Sequence, residues 1–100
     1  MDDATARMRL ESMLHDLDRS IEVFTGERSD AAQPDAERAE VMIDVAGRQR
    51  MAVLAALKRL DEGGYGRCVD CRRMVPEGRL EARPEAARCV QCQSKVDRRR

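Results

Sequence analysis

The chain has 100 residues, of which 42% are hydrophobic, 38% are charged and 2% are aromatic, and its formal net charge is zero. So short a chain with so few aromatic side chains cannot bury a thick globular core, and its composition favours long amphipathic helices. Zero net charge disfavours strong nonspecific DNA binding, which depends on neutralising phosphates, and no apolar stretch approaches membrane-spanning length.

Residues from about 3 to 25 are predicted to form a first helix. Its apolar positions recur at steps of four and three residues, which is the spacing of a coiled-coil seam: Leu10, Leu14, Leu17, Ile21 and Phe24, widened by Met13. Gly26 is the predicted C-terminal stop. His15 lies beside the seam and is predicted to be a surface residue.

A second helix is predicted from about 35 to 62, after a loop over residues 26–34. Pro34 followed by Asp35 and Glu37 is typical of a helix start, and Gly63-Gly64 is the predicted end. The apolar positions of this helix are Ala39, Met42 or Ile43, Ala46, Val53, Leu57 and Leu60. Because the loop is short, the two helices should pack as an antiparallel hairpin.

Four cysteines form two C-x2-C pairs, Cys68 with Cys71 and Cys89 with Cys92, separated by seventeen residues. This spacing predicts one structural zinc ion held by four thiolates, a shell that leaves no open position for a catalytic water. Two disulfides, or unrelated buried thiols, are the alternatives. They are disfavoured because the acidic start of the chain, with no apolar segment after it, predicts no signal peptide.

The last predicted helix runs from about 85 to 98, beginning at Pro84-Glu85 and carrying the second cysteine pair. Arg98-Arg99-Arg100 is interpreted as a solvated basic tail. The predicted fold is therefore all-α. Residues 1–62 form a coiled-coil hairpin with its tip around 26–38, and residues 63–100 form a four-cysteine zinc module with a terminal helix.

Three segments of the C-terminal part resemble the DksA/TraR family of bacterial transcription regulators. They are Tyr65-Gly66-Arg67-Cys68-Val69-Asp70-Cys71, Arg79-Leu80-Glu81-Ala82-Arg83-Pro84 and Cys89-Val90-Gln91-Cys92-Gln93. The resemblance is close over residues 64 to 93, and the upstream hairpin matches in architecture and position. It implies a regulator that inserts the hairpin into the secondary channel of RNA polymerase and keeps the zinc module near the channel mouth. One departure is Arg72, where the family usually has glycine, a residue that permits a positive φ.

The resemblance assigns the hairpin tip to Asp35, Glu37 and Ala39. In the family motif DxxDxA, Glu37 replaces the second acid, whereas Pro34 occupies the first acidic position and Asp35 comes one residue late. A second interpretation stays open, in which Asp35 and Glu37 only stabilise a helix N-terminus. Arg48 and Arg50 on the second helix are the predicted polymerase contacts.

Some family members bind ppGpp through basic residues, of which only Arg83 is present here. Ala52 and Gln93 occupy two positions where lysine is expected, so a ppGpp site of the family type is disfavoured. The sequence thus predicts a non-enzymatic, cytoplasmic transcription regulator that binds RNA polymerase. The alternative is a zinc-ribbon adaptor that binds another protein without entering the channel. Sequence-specific DNA binding, which would need the short final helix, is not expected.

Overall fold

The computed structural model describes residues 1–29 and 36–99, and four helices occur in these ranges. In chain order they are α1 (Asp3–Ser29), α2 (Ala36–Glu62), α3 (Glu77–Ala82) and α4 (Val90–Arg98). The same ranges contain no strand, only an isolated antiparallel bridge between Arg67 and Met74. The predicted all-α fold is therefore confirmed. None of the helices described combines the length and apolar character needed to cross a bilayer.

The two long helices pack against each other as an antiparallel hairpin. Arg7 Nη2 on α1 lies 2.8 Å from Asp61 Oδ1 on α2, and Arg50 Nε on α2 lies 2.6 Å from Asp18 Oδ1 on α1. Arg7 precedes Asp18 on α1 by the same number of residues by which Asp61, the partner of Arg7, follows Arg50 on α2. The two helices therefore run in opposite directions. These two ion pairs are partly exposed, so they specify the register of the helices more than they add stability.

The hydrophobic core of the hairpin is concentrated at the end next to the cysteines. Its buried members are Ala6, Leu10, Val53, Ala56 and Leu60. Leu14, Leu17 and Leu57 pack against this cluster and are only half-buried. Nearer the start of α2, the buried residues are Ala39 and Ala46. The hairpin is thus broad and well packed at its base, and its distal part buries only small side chains from α2.

The end predicted for the first helix at Gly26 is wrong, because α1 continues to Ser29. A single glycine inside a helix costs only about 1 kcal/mol, and no proline or second glycine follows until Pro34. The end predicted for the second helix is confirmed. Gly63 has φ +81°, in the left-handed region, and the amide of Gly64 donates to the carbonyl of Arg59 at 2.8 Å.

Gly47→Ala is expected to stabilise the hairpin by about 0.5–1 kcal/mol. Gly47 lies inside α2, and a Cβ atom there would meet no atom within 4 Å, so alanine adds helix propensity without a clash. Thermal unfolding followed by circular dichroism measures the change. Gly63→Ala is the matched control and should lower the melting temperature, because its positive φ disfavours any side chain. Equal shifts in the two variants would contradict this account.

The residues after α2 fold into a small module with its own cluster of buried side chains, Cys68, Val75, Leu80 and Cys92. Leu80 belongs to α3, a six-residue helix that the sequence analysis did not predict. Met1 and Tyr65 pack against both this cluster and the hairpin core. The hairpin and the module therefore share side chains at their junction, and their division at residues 62 and 63 stays a prediction.

Candidate metal centre

The first cysteine pair lies on a tight turn between two short extended segments, here called the first knuckle (residues 66–75). The amide of Val75 donates to the carbonyl of Gly66, and the amide of Cys68 donates to the carbonyl of Arg73, both at 2.8 Å. The amide of Arg72 donates back to the carbonyl of Cys68 at 3.0 Å. This ladder closes the turn, with Cys68 buried inside it and Cys71 exposed at its bend.

The second cysteine pair occupies the start of α4, with Cys89 at the N-cap and Cys92 in the first turn. The terminal helix was predicted to begin at Pro84-Glu85, and this start is wrong, because α4 begins at Val90. The preceding segment is held out of helical conformation by hydrogen bonds to its carbonyls. Tyr65 Oη donates to the carbonyl of Pro84, the amide of Val69 donates to that of Ala87, and Arg79 Nε donates to that of Arg88, each at 2.9 Å.

The four thiols converge although they come from two separate turns. All four Sγ atoms lie within 4.8 Å of one another, and the Sγ atoms of Cys71 and Cys89 are 3.9 Å apart. A tetrahedral zinc with Zn–S bonds of about 2.3 Å places its sulfurs about 3.8 Å apart. The cluster therefore matches the size of a four-thiolate zinc shell.

The backbone around the cluster favours negatively charged sulfur. Burial alone would raise the pKa of the Cys68 thiol, but hydrogen bonds from the backbone of Cys71, Cys89 and Asp70 outweigh burial and lower this pKa to about 6. The backbone of Cys92 likewise lowers the pKa of the Cys89 thiol. Amide dipoles directed at sulfur are what a thiolate ligand requires.

Four thiolates without a cation would repel one another strongly. The side chain of Cys89 raises the pKa of the Cys92 thiol to about 12, and burial and the other sulfurs act in the same direction. A divalent cation at the centre removes this obstacle, because it lets all four sulfurs ionise together. The donor set therefore fits zinc, and its four sulfurs fill a tetrahedral shell, which makes the centre structural and not catalytic.

Two arginines connect the parts that hold the metal centre. Arg88 Nε lies 2.7 Å from Asp70 Oδ2, which ties the segment before the second cysteine pair to the first knuckle. Arg59, in the last turn of α2, reaches the carbonyl of Ala86 at 3.4 Å, and its partial burial lowers its pKa. The sequence analysis did not identify these supports, since the carbonyls they contact depend on the path of the backbone.

The other predicted site residues lie away from the cysteines. Glu37 is exposed in the first turn of α2, Ala39 is 1% exposed, and Asp35 lies outside the described residues. Because α2 has 27 residues, it separates Glu37 from the module by about 40 Å. Of the predicted polymerase contacts, Arg48 is exposed and Arg50 is engaged with Asp18.

The remaining predicted positions are exposed or half-buried. Arg83 is exposed at the end of α3, and Gln93 on α4 donates to Asp97 Oδ1 at 3.0 Å. His15 is exposed, as predicted. Arg98 and Arg99 are exposed at the end of α4, whereas Arg100 lies outside the described residues.

Comparisons with known proteins agree with this geometry. The sequence model of the prokaryotic dksA/traR C4-type zinc finger matches residues 63–98. No curated protein matches the chain by sequence. The structure is similar to that of transcription factor DksA2 from Pseudomonas aeruginosa, with a TM-score of 0.81 and 21% sequence identity, over 97% of this chain and 84% of that one. Residues 63–98 therefore match the dksA/traR C4-type zinc finger and hold a structural zinc, and the chain as a whole has the fold that DksA2 shows.

Proposed function

We propose that this protein is a transcription regulator that binds RNA polymerase and inserts its hairpin into the secondary channel. The observation that carries the proposal is the placement of an exposed carboxylate, Glu37, about 40 Å from a rigid zinc module at the other end of α2. The solved structure with the same fold is a transcription factor. The family resemblance of the module supports the same class of function for this chain.

The shape of the hairpin suits entry into a narrow channel. Its bulky core lies at the base, around Leu10 and Val53, whereas Ala39 and Ala46 are the buried residues in the first half of α2. Small side chains at a helix interface allow the two backbones to approach closely. The distal part is therefore expected to be slimmer than the base, where the zinc module adds further bulk.

The chemistry of the tip is electrostatic. Glu37 and the neighbouring Asp35 supply carboxylates, which are the ligands that Mg²⁺ prefers and which also attract basic side chains. A carboxylate delivered through a channel to the polymerase centre would change the local charge without forming a covalent bond. The proposed role is therefore regulation of the polymerase reaction, and the protein itself catalyses nothing.

Contacts along the arm should supply the affinity, and Arg48 is better suited to this role than Arg50. Arg48 is exposed and has no ion-pair partner among the described residues, while Arg50 already binds Asp18 Oδ1 at 2.6 Å. Arg48→Ala should weaken polymerase binding and leave the melting temperature nearly unchanged. Arg50→Ala also removes an intramolecular pair, so Asp18→Ala is its control for loss of that pair alone.

The tip is tested with the double variant Asp35→Asn and Glu37→Gln. We expect it to bind RNA polymerase core enzyme with nearly parental affinity and to lose the effect on promoter output in a purified transcription reaction. Glu40→Gln is the matched control, since Glu40 is exposed one turn further along α2 and should keep the effect.

Two results would contradict the proposal, and they differ in what they exclude. If the double variant binds and regulates like the parent, the tip carboxylates only stabilise the start of α2, a role worth about 0.3–1 kcal/mol per charge. If the parent binds a protein other than RNA polymerase and has no effect on transcription, the chain is a zinc-ribbon adaptor. Binding and promoter output measured on the same preparations separate these cases.

A further inference from the structure

Arg72, on the first knuckle, adopts a backbone conformation that an arginine rarely takes. Its φ is +66°, the one positive φ of a non-glycine residue among the residues described. Left-handed conformation is unfavourable for residues with a Cβ atom, and glycine occupies it without this cost. The arginine therefore occupies a position whose backbone conformation favours glycine.

No side-chain contact in the described ranges accounts for an arginine at this position. The side chain of Arg72 is exposed, and Arg72 forms hydrogen bonds through its backbone: its amide donates to the carbonyl of Cys68, and its carbonyl accepts from Arg67 Nη1 at 3.3 Å. The next side chain, Arg73, is also exposed and contributes its carbonyl to Cys68. Neither guanidinium has an ion-pair partner in the described ranges, so neither stabilises the fold by such a contact.

The surroundings of these two arginines are basic and partly apolar. Val69 and Met74, which flank the bend, are 40% and 62% exposed. The acid of this turn, Asp70, is already paired with Arg88. Residues 63–100 carry ten Lys and Arg against five Asp and Glu, whereas residues 1–62 carry nine against fourteen. The zero net charge of the chain thus conceals a basic module attached to an acidic hairpin.

We infer that the first knuckle, through Arg72 and Arg73, docks on an acidic protein surface. Two exposed cations complement an acidic surface, and the apolar Val69 and Met74 favour a protein over a phosphate backbone, which offers no apolar surface. The inference rests on the proposed function, because the partner surface is taken to belong to RNA polymerase. It assigns Arg72 and Arg73 a direct share in that binding.

Arg72→Gly tests the inference because docking predicts opposite changes in stability and binding. Relief of the left-handed conformation should raise the melting temperature of the zinc-loaded protein by about 4 °C or more. Loss of one interface arginine should raise the Kd for RNA polymerase core enzyme about fivefold. Arg72→Lys keeps the charge and should bind more tightly than Arg72→Gly. Arg83→Ala, which removes an equal charge from an exposed position at the end of α3, should have a smaller effect.

Each remaining outcome decides against the inference in an identifiable way. If Arg72→Gly binds RNA polymerase like the parent while Arg48→Ala binds it more weakly, the docking role of the first knuckle is wrong and the proposed function still stands. Faster loss of zinc from Arg72→Gly would mean that the cation offsets the negative charge of the thiolate centre. Concentration-dependent dimers of the parent that Arg72→Gly abolishes would make the partner the acidic hairpin of a second copy. Absence of parental binding to the polymerase overturns the inference and the proposed function together.

Discussion

Cys68→Ser is expected to release the zinc and to unfold residues 63–98 while most of the helical signal survives. Cys68 is fully buried and receives several backbone hydrogen bonds, so a serine there leaves a buried hydroxyl and three remaining sulfurs. Metal binding and folding are one equilibrium in a module of this size, with apparent zinc-binding energies of about 10–16 kcal/mol in small zinc-finger peptides. The effect should therefore exceed that of any other single substitution proposed for this chain.

The measurement combines elemental analysis for zinc with far-ultraviolet circular dichroism. α1 and α2 contain 27 residues each, whereas α3 and α4 contain 6 and 9, so most of the ellipticity should remain when the module unfolds. Chelation of zinc from the parent should reproduce the spectrum of the variant. Val90→Ser is the matched control, because it places serine beside Cys89 at an exposed position that holds no metal. Full zinc content in Cys68→Ser would contradict the assignment.

The metal centre was predictable because zinc chemistry requires a particular residue type at a particular spacing. Two C-x2-C pairs are enough to predict four converging thiols, and the structure brings their Sγ atoms within 4.8 Å of one another. What surrounds the thiols was not predictable in the same way. Arg59 and Tyr65 donate hydrogen bonds to the backbone carbonyls of Ala86 and Pro84. The positions of these carbonyls depend on the path of the backbone, which no residue type in the sequence indicates.

The helices were predictable where apolar periodicity is strong and less so at their ends. Gly26 and Gly63 are the same residue type, yet the chain passes through the first as helix and turns left-handed at the second. The difference is that Gly64 follows Gly63 directly, whereas ordinary helix-compatible residues follow Gly26. The late start of α4 has a tertiary cause, since donors from Tyr65, the first knuckle and α3 occupy the carbonyls of Pro84, Ala87 and Arg88.

The sequence analysis also did not identify some small residues that are buried in the core of the hairpin. Ala6 and Ala56 are fully buried in the hairpin core, but alanine is common throughout this chain and its position on a helix face carries little signal.

Arg50, which lies near the apolar stripe of α2, is explained by its pairing with Asp18 across the hairpin. The same observation separates Arg50 from Arg48, two arginines that the sequence could not distinguish.

Leu10→Ala is expected to destabilise the hairpin by about 2–5 kcal/mol, more than Leu17→Ala. Leu10 is 0% exposed and lies between the helices at the base, so its removal leaves a cavity, whereas Leu17 is half-buried and its site can admit water. Urea unfolding of the zinc-loaded protein measures both values. Met8→Ala, at a side chain that is 72% exposed, should change stability by less than about 0.5 kcal/mol. Equal losses in Leu10→Ala and Met8→Ala would show that the base of the hairpin is not packed as described, and a loosely packed base could not hold the tip at a fixed distance from the zinc module.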